Sequence, residues 1–436
     1  MKKRRLKKNV KYILWSILLV ILIIIVTNLI PKRWPNKPEY NYIDSISNNE
    51  AEKFDIAFLK WIDENYDSKV LSEIDNALKN GKYDKALWHQ LTGSSYIVLQ
   101  DLYENKYQGK SNVKVIEGSK DSVTISYIGD VSLADNWDIM PVYKSREKNV
   151  YGILSNDIVS YMKNSDWMVA NNEFAFSDRG EKLENKQYTF KGSPANVSIY
   201  NEMGVDLVTL ANNHVYDYGK EAFLDTLSTL KESQLPYIGG GANKSEAEQA
   251  FYLIINGYKI SFVNATRAEK YIMTKEADET SEGVFRAYDP EPFAARIKEE
   301  KGKSDFTVAL IHWGTENSHE LEEVQTETGK LYIDSGADMV IGSHAHVLQG
   351  MEYYKGKLIA YNLGNFIFND QTIDTGILSW HLDKDGSSSF SFLPALQKDC
   401  YTEMLKNEDA QNLYKDINSW SINARITETG QIQATE

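Results

Sequence analysis

Four of the seven histidines in this 436-residue chain stand at the ends of apolar runs, where a metal centre can form. His214 closes the segment Leu-Ala-Asn-Asn-His, and His312 follows Ala-Leu-Ile. His344 and His346 follow the segment Met-Val-Ile-Gly-Ser. Neutral imidazole is the commonest metal ligand in proteins, so these positions are candidates for a metal site.

Two carboxylates occupy the same kind of position, because Asp130 and Glu173 also end apolar runs. Continuous runs of Val, Ile and Leu are typical of parallel strands, and open α/β sheets place their ligand sites outside the carboxyl ends of such strands. Polar residues at several strand ends therefore converge. Because imidazole and carboxylate together suit divalent transition metals, the pattern predicts one metal centre.

Each motif taken alone also has a structural interpretation. Asp130 follows a glycine, and Gly-Asp is a common turn dipeptide. His214 and the two asparagines before it could form a satisfied buried network, and His312 could be a core histidine. His344 and His346 are the strongest pair, because residues i and i+2 of an extended segment point to the same face and both rings could then reach one site.

The amino-terminal 35 residues carry nine basic residues and no acidic one, and the segment from Tyr12 to Ile30 is free of charge. Its length suffices for a membrane span, which needs about 20 apolar residues. A cleaved signal peptide is the alternative, but the apolar run exceeds the ~7 to 15 residues of a signal core and no small-x-small cleavage pattern follows it. Seven of the basic residues precede the segment, which predicts a cytoplasmic amino terminus, one helix in the lipid bilayer and an extracellular body.

The overall charge limits the partners of the body. The formal net charge is -14, and nine of the 48 basic residues lie at the amino terminus, so the rest of the chain is strongly acidic. Nucleic-acid phosphates would be repelled by such a surface. Cys400 is the only cysteine and cannot form an internal disulfide, so stability outside the cell must come from a hydrophobic core.

The chain divides into five predicted regions. Residues 1–30 form the basic tail and anchor, and residues 31–42 form a proline-containing spacer. Residues 43–115 carry apolar side chains at helical spacing and predict a small helical subdomain. Residues 121–385 form the main domain, and residues 386–436 form a C-terminal extension.

The main domain alternates apolar runs with amphipathic stretches, which predicts an α/β fold. Asn256-Gly257 between two apolar runs predicts a β-hairpin and hence some antiparallel pairing. The predicted strands are 123–128, 167–170, 207–210, 251–255, 259–264, 306–311, 339–341 and 357–362. The predicted helices are 153–162, 220–232, 292–300 and 322–335.

Six motifs in this domain carry a family resemblance. They are Gly-Asp-Val-Ser-Leu, Asn-Asn-Glu, Leu-Ala-Asn-Asn-His-Val-Tyr-Asp-Tyr-Gly, His-Trp-Gly-Thr-Glu, Gly-Ser-His-Ala-His-Val-Leu-Gln-Gly and Asn-Leu-Gly-Asn-Phe-Ile-Phe. In this order, and across residues 121–385, they resemble the CapA-type poly-γ-glutamate capsule-synthesis family. That family is similar to calcineurin-like metallophosphoesterases, so the resemblance implies a two-sheet sandwich flanked by helices.

The resemblance also implies roles for individual residues around one or two divalent ions of the Mn, Fe or Zn class. Glu173 would bridge two metals, with Asn213, His312 and His344 on one and Asp130 and His346 on the other. His214 would be an acid that steadies a leaving oxygen, and Asp217 would orient it.

One position departs from the phosphoesterase pattern. Phosphoesterases usually carry histidine two residues after the first aspartate, and this chain carries Ser132 there. The metal beside Asp130 is therefore expected to have one ligand fewer. The site would bind one metal firmly and a second weakly, or only one.

The sequence is compatible with three functions. A metal-dependent hydrolase would attack a phosphoester, or an amide or ester of an anionic wall polymer. A non-catalytic accessory protein would bind or export poly-γ-glutamate beside membrane synthase subunits, as the resemblance implies. The third alternative is a structural ectodomain with a relic site. Because the body is acidic, an anionic polymer could approach only at the metal or at a local basic patch, such as one including Lys191 and Arg267.

Overall fold

The computed structural model describes residues 42–49, 52–269 and 274–435, which fall into two compact units divided between Lys106 and Tyr107. The predicted anchor and residues 31–41 of the predicted spacer lie outside the described residues. Within the described ranges, no helix is long and apolar enough to cross a membrane.

The first unit is helical. Its core contains the buried side chains of Phe58 and Trp88, and the Tyr96 ring packs edge to face on Phe58 at 5.6 Å. Ser95 caps the last helix, because its side chain accepts a hydrogen bond from the Val98 amide. The described helices of this unit are α1 (Tyr42–Ser47), α2 (Ile56–Asn65), α3 (Lys69–Lys79), α4 (Ala86–Thr92) and α5 (Tyr96–Tyr103).

The second unit contains two large sheets. The first sheet has the strand order β1-β9-β10-β12-β13-β15-β14. Its strands are β1 (Val113–Ile116), β9 (Phe251–Ile255), β10 (Tyr258–Thr266), β12 (Phe306–Trp313), β13 (Met339–His344), β14 (Met351–Tyr354) and β15 (Lys357–Ala360). Its central strands β10, β12, β13 and β15 are parallel, whereas β9 and β10 form the predicted antiparallel hairpin.

The second sheet has the strand order β20-β21-β18-β17-β2-β3-β6-β7, with β16 beside β2 and β19 beside β18. Its strands are β2 (Ser122–Val131), β3 (Trp167–Asn172), β6 (Leu207–Thr209), β7 (Tyr237–Ile238), β16 (Asn365–Ile367), β17 (Ile373–Asp383), β18 (Ser388–Lys398), β19 (Tyr401–Met404), β20 (Ala424–Ile426) and β21 (Gln431–Ala434). Two short pairs lie outside both sheets, β4 (Ala175–Phe176) with β5 (Lys191–Gly192) and β8 (Gly240–Gly241) with β11 (Gly283–Val284).

Three hydrophobic layers show how sheets and helices stack. Ile125 and Trp380 of the second sheet share one core with Phe262 and Leu310 of the first sheet, so the two sheets pack face to face. Helices cover the outer face of each sheet through two further cores. The helices of this unit are α6 (Ile139–Arg146), α7 (Asn156–Asn164), α8 (Val197–Met203), α9 (Gly219–Glu232), α10 (Lys244–Ala247), α11 (Glu291–Lys301), α12 (Glu323–Asp334) and α13 (Asn407–Trp420). The predicted α/β architecture is confirmed.

Two of the predicted domain boundaries fall inside the second unit. The boundary at residue 115 lies within β1, which pairs with β9. The boundary at residue 385 lies in the turn between β17 and β18, which pair along their whole length. Residues 386–436 continue the second sheet, because β18 supplies hydrogen-bond partners to β17, β19 and β21.

Gly342 lets β13 lie very close to the backbone at Tyr361, just after β15. A Cβ at this position would lie 1.9 Å from the carbonyl oxygen of Tyr361, which is a backbone atom that cannot swing away. We expect Gly342→Ala to lower the free energy of unfolding by about 3 kcal/mol, the upper range for an overpacked site.

Gly302 provides the control for this substitution. It ends α11 with helical backbone angles, and the nearest atom to an added Cβ is 3.4 Å away. Gly302→Ala is expected to leave stability unchanged or slightly raised. Urea unfolding of the two full-length variants would measure the difference, and equal midpoints would contradict the close approach.

Candidate metal centre

The predicted site residues converge where parallel strands of both sheets end. Asp130 lies at the end of β2 and Glu173 directly follows β3, while His312 and His344 lie at the ends of β12 and β13. Asn213 comes from the segment after β6. All of these side chains are buried, so their polar atoms must be satisfied by each other or by a ligand.

The first donor group consists of Glu173, His312, His344 and Asn213. One donor atom from each of Glu173, His312 and His344 lies within 4.8 Å of the other two. Asn213 Oδ1 is 2.8 Å from His312 Nε2, which is itself 3.6 Å from Glu173 Oε1. His312 Nδ1 contacts Ser343 Oγ at 2.9 Å on its other side, so Nε2 is the nitrogen that faces the group.

The second donor group consists of Asp130, Glu173 and His346. Their donor atoms also lie within 4.8 Å of one another, and Asp130 Oδ2 is 3.6 Å from His346 Nδ1. Glu173 belongs to both groups. It therefore occupies the position of a carboxylate that could bridge two cations.

The residues present fit a divalent transition metal. Glu173 Oε1 and His344 Nδ1 are buried, and neither has a hydrogen-bond partner in the described part of the chain. Leaving such atoms unsatisfied costs ~1 to 3 kcal/mol each. A cation between them would relieve that cost, and the mixed set of nitrogen and oxygen donors suits Mn, Fe or Zn.

The two carboxylates are affected differently by their surroundings. Burial raises the pKa of Glu173 well above its ordinary value, and the nearby Asp130 carboxylate raises it further. Burial also acts to raise the pKa of Asp130, but the neighbouring His346 and the hydrogen bond from Asn171 outweigh it and leave that pKa lowered. Asp130 therefore loses its proton at a lower pH than Glu173 in the metal-free protein.

The imidazoles are held mostly in the neutral form that binds metals. Burial lowers the pKa of His312 to about 3 against the opposing effect of Asp130. Burial lowers the pKa of His344 well below its ordinary value. His346 differs, because the Asp130 carboxylate 3.6 Å from its Nδ1 outweighs burial and raises its pKa.

The backbone between His344 and His346 is not extended. The prediction that the two rings share one face of an extended segment is therefore wrong, although the rings do converge. Strand β13 ends at His344, which has φ 101°, and His346 has φ 60°. Both values lie in the left-handed region that non-glycine residues rarely adopt, and such strain clusters at functional sites. A turn brings the two rings together, with centroids 6.0 Å apart.

Asn171 is a site residue that the sequence interpretation missed. Its Nδ2 donates to Asp130 Oδ1 at 2.8 Å and to Glu173 Oε2 at 3.1 Å. Its Oδ1 accepts from Thr209 Oγ1 and Asn212 Nδ2, which fixes the orientation of the amide. Asn171 thereby leaves Asp130 Oδ2, which accepts from the His344 amide at 3.1 Å, and Glu173 Oε1 as the oxygens that face the other donor atoms. Its position two residues before Glu173 was the signal that could have identified it.

His214 and Asp217 form a hydrogen-bonded pair beside the donor groups. His214 Nδ1 is 2.7 Å from Asp217 Oδ2, which also accepts from the Phe190 amide. Burial lowers the pKa of His214 despite the opposing charge of Asp217. Because Asp217 accepts the Nδ1 proton, Nε2 is left available for proton exchange.

Two charged residues that the sequence interpretation missed, Lys186 and Glu269, contact Asp217 and Asn213. Lys186 is buried and pairs with Asp217 Oδ1 at 2.9 Å and with Glu269 Oε2 at 3.2 Å. It also donates to the Asn213 carbonyl. Glu269 Oε1 accepts from Asn213 Nδ2 at 3.3 Å, so it turns the Asn213 oxygen toward His312.

Lys191 and Arg267, the two cations of the expected basic patch, contact different rings. Lys191 lies over the Tyr218 ring and Arg267 over the Tyr288 ring, each with 4.4 Å to the centroid. A basic patch that includes both stays a prediction.

Known proteins are similar to this chain over the stretch that contains the site residues. The family model described as "Bacterial capsule synthesis protein PGA_cap" matches residues 124–370. The PGA biosynthesis protein CapA of Bacillus subtilis (strain 168) is 29% identical over 304 residues, covering 68% of this chain and 78% of the relative. The capsule biosynthesis protein CapA of Bacillus anthracis is 27% identical over 316 residues, covering 68% and 72%.

A solved structure is also similar at a lower level. The putative 5'-nucleotidase from Staphylococcus aureus, in complex with alpha-ketoglutarate, matches with a TM-score of 0.38 and 17% identity. The match covers 69% of this chain and 58% of that structure, so the chain spans less than two thirds of that protein.

Proposed function

The chain belongs to the PGA_cap family of bacterial capsule synthesis proteins, and from that premise we propose that it is a membrane-anchored extracellular protein of poly-γ-glutamate or envelope-polymer synthesis with a metal-dependent hydrolytic site. The observation that carries the hydrolytic part is the position of Glu173 in both donor groups. Two cations that share one carboxylate are typical of sites that cleave phosphoesters and amides.

Six residues would hold the metal ions. They are Asp130, Glu173, Asn213, His312, His344 and His346. A divalent ion there would lower the pKa of a coordinated water toward neutrality and polarise the scissile group of the substrate. Asn171 supports this arrangement by holding one oxygen of each carboxylate away from the ligand side.

His214 is the proposed proton donor to the leaving group. Its Nδ1 is engaged by Asp217, so the proton is transferred through Nε2. Because burial lowers the pKa of His214, the ring is neutral in the free protein at neutral pH. An anionic substrate beside the ring would favour the protonated form, so the acid would be charged only when substrate is bound.

Hydrolysis assays on the metal-loaded full-length protein test this proposal. Mn²⁺-loaded protein is expected to shorten poly-γ-glutamate or to cleave a generic phosphodiester, and chelation is expected to abolish either activity. Metal bound with no cleavage of either substrate would contradict the hydrolase. That outcome would instead favour the accessory role, in which the same ions bind carboxylates of the polymer.

The anchoring part of the proposal predicts a topology. Seven basic residues precede Tyr12 and only two follow Ile30 within the first 35 positions, so the amino terminus is expected to stay in the cytoplasm. Protease added to intact cells should digest the body of the protein. A tag fused to the amino terminus serves as the control and should survive, and full protection of the body would contradict the topology.

A further inference from the structure

The two donor groups differ in their number of protein ligands. The first contains four donor residues when Asn213 is included, whereas the second contains three, namely Asp130, Glu173 and His346. A fourth protein ligand for the second donor group would have to come from a residue near Asp130.

Asp130 lies between two asparagines on adjacent strands. In the parallel pairing it is opposite Asn171 of β3 on one side and Asn365 of β16 on the other. Residues paired across parallel strands share a face of the sheet, so all three side chains face the site. The Asn171 amide is fully engaged, whereas Asn365 directs its oxygen to His346.

The contact between Asn365 and His346 has the same geometry as the contact between Asn213 and His312 in the first donor group. Asn365 Oδ1 is 2.8 Å from His346 Nδ1, and Asn213 Oδ1 is 2.8 Å from His312 Nε2. In each pair an amide oxygen meets an imidazole nitrogen that also faces a carboxylate of its donor group, at 3.6 Å in both cases.

These separations suit ligands of one ion. Metal–ligand bonds of about 2.0 to 2.2 Å place neighbouring donor atoms roughly 2.8 to 3.6 Å apart, depending on whether the angle is octahedral or tetrahedral. The distances of 2.8 Å from Asn365 to His346 and 3.6 Å from His346 to Asp130 span that range.

A second observation also indicates a ligand in this corner. Asn365 is fully buried, and its Nδ2 has no hydrogen-bond partner among the residues that the structure describes. The same holds for the hydroxyl of Ser132, which lies two residues beyond Asp130, directly after the end of β2. Buried polar atoms of this kind are normally satisfied, so an ion with its water is expected beside them.

We infer that Asn365 is the fourth protein ligand of the second donor group and binds a divalent cation through Oδ1. The inference rests on the proposed metal site. It replaces the expectation that Ser132 leaves this position short of a ligand, and the full-length protein should bind two ions per chain.

Equilibrium dialysis of full-length protein against Mn²⁺ tests the assignment. The wild type is expected to bind two ions, Asn365→Leu one, and Asn365→Asp two, because aspartate keeps an oxygen at the same place. Circular dichroism would check folding, and Asn365→Ala replaces the leucine variant if that variant does not fold. Two ions bound by every folded variant that lacks the amide would overturn the inference.

A rescue experiment separates a ligand from a residue that only positions His346. Adding Ser132→His to Asn365→Leu supplies a new imidazole beside Asp130 and should restore the second ion. Ser132→His alone should leave the wild-type number unchanged. A double variant that stays at one ion would assign Asn365 a positioning role and overturn the inference, whereas a wild type that binds no ion would reject the metal site itself.

Discussion

Replacing Glu173 with glutamine is expected to remove both metal ions at once. Glu173 is the one residue that belongs to both donor groups, so its carboxylate neutralises charge at both positions. Loss of outer-shell partners alone typically weakens metal binding 10- to 100-fold, so loss of this shared ligand should exceed about 100-fold. Isothermal titration of the full-length variant with Mn²⁺ would measure the change.

The metal-free fold should tolerate this substitution. Glu173 is buried, and burial together with the Asp130 carboxylate already disfavours its charged form, so a neutral isostere of the same shape keeps the metal-free packing. The thermal midpoint of metal-free Glu173→Gln should therefore equal or exceed that of metal-free wild type at neutral pH. Glu316→Gln is the matched control, since Glu316 is an exposed carboxylate that acts on Glu173 only through its charge. Wild-type affinity in Glu173→Gln would contradict the shared position.

The second large effect separates metal binding from chemistry. His312→Ala and His344→Ala should each lower metal content far more than His214→Ala, because His312 and His344 belong to a donor group and His214 pairs with Asp217 instead. Loss of a proton donor typically slows a reaction 10²- to 10⁴-fold. His214→Ala should therefore keep its metal and lose at least about 100-fold in turnover on any substrate that the wild type cleaves.

Elemental analysis of the three variants after dialysis would measure the first part. His381→Ala is a suitable histidine control, because His381 lies in β17 and contacts Thr124 and Ser391, outside both donor groups. Equal metal content in the His312, His344 and His214 variants would contradict the assignment of roles.

The strands that carry the site could be predicted because their apolar runs are continuous. The predictions 207–210, 306–311 and 339–341 correspond to β6, β12 and β13. The polar residues at the ends of parallel strands then had to meet at one edge of each sheet. The face-to-face packing of the two sheets brings these two edges together. That packing was predicted from the family resemblance and not from the strand pattern.

Contacts between distant segments could not be predicted. Lys186 lies in a polar segment with no periodic pattern, yet its amine is buried against Asp217 and Glu269. Asn365 follows Gly364 in a short segment, and only the pairing of β16 with β2 brings it beside Asp130. The left-handed backbone conformation of His344 could not be predicted either, because a strand pattern gives no indication of where the strand will turn.

The most direct test of the account is the metal content of the full-length wild-type protein, dialysed against Mn²⁺ and analysed by mass spectrometry of the elements. We expect two ions per chain, held by the two donor groups that share Glu173. Absence of bound Mn²⁺, repeated with Fe²⁺ and Zn²⁺, would contradict it.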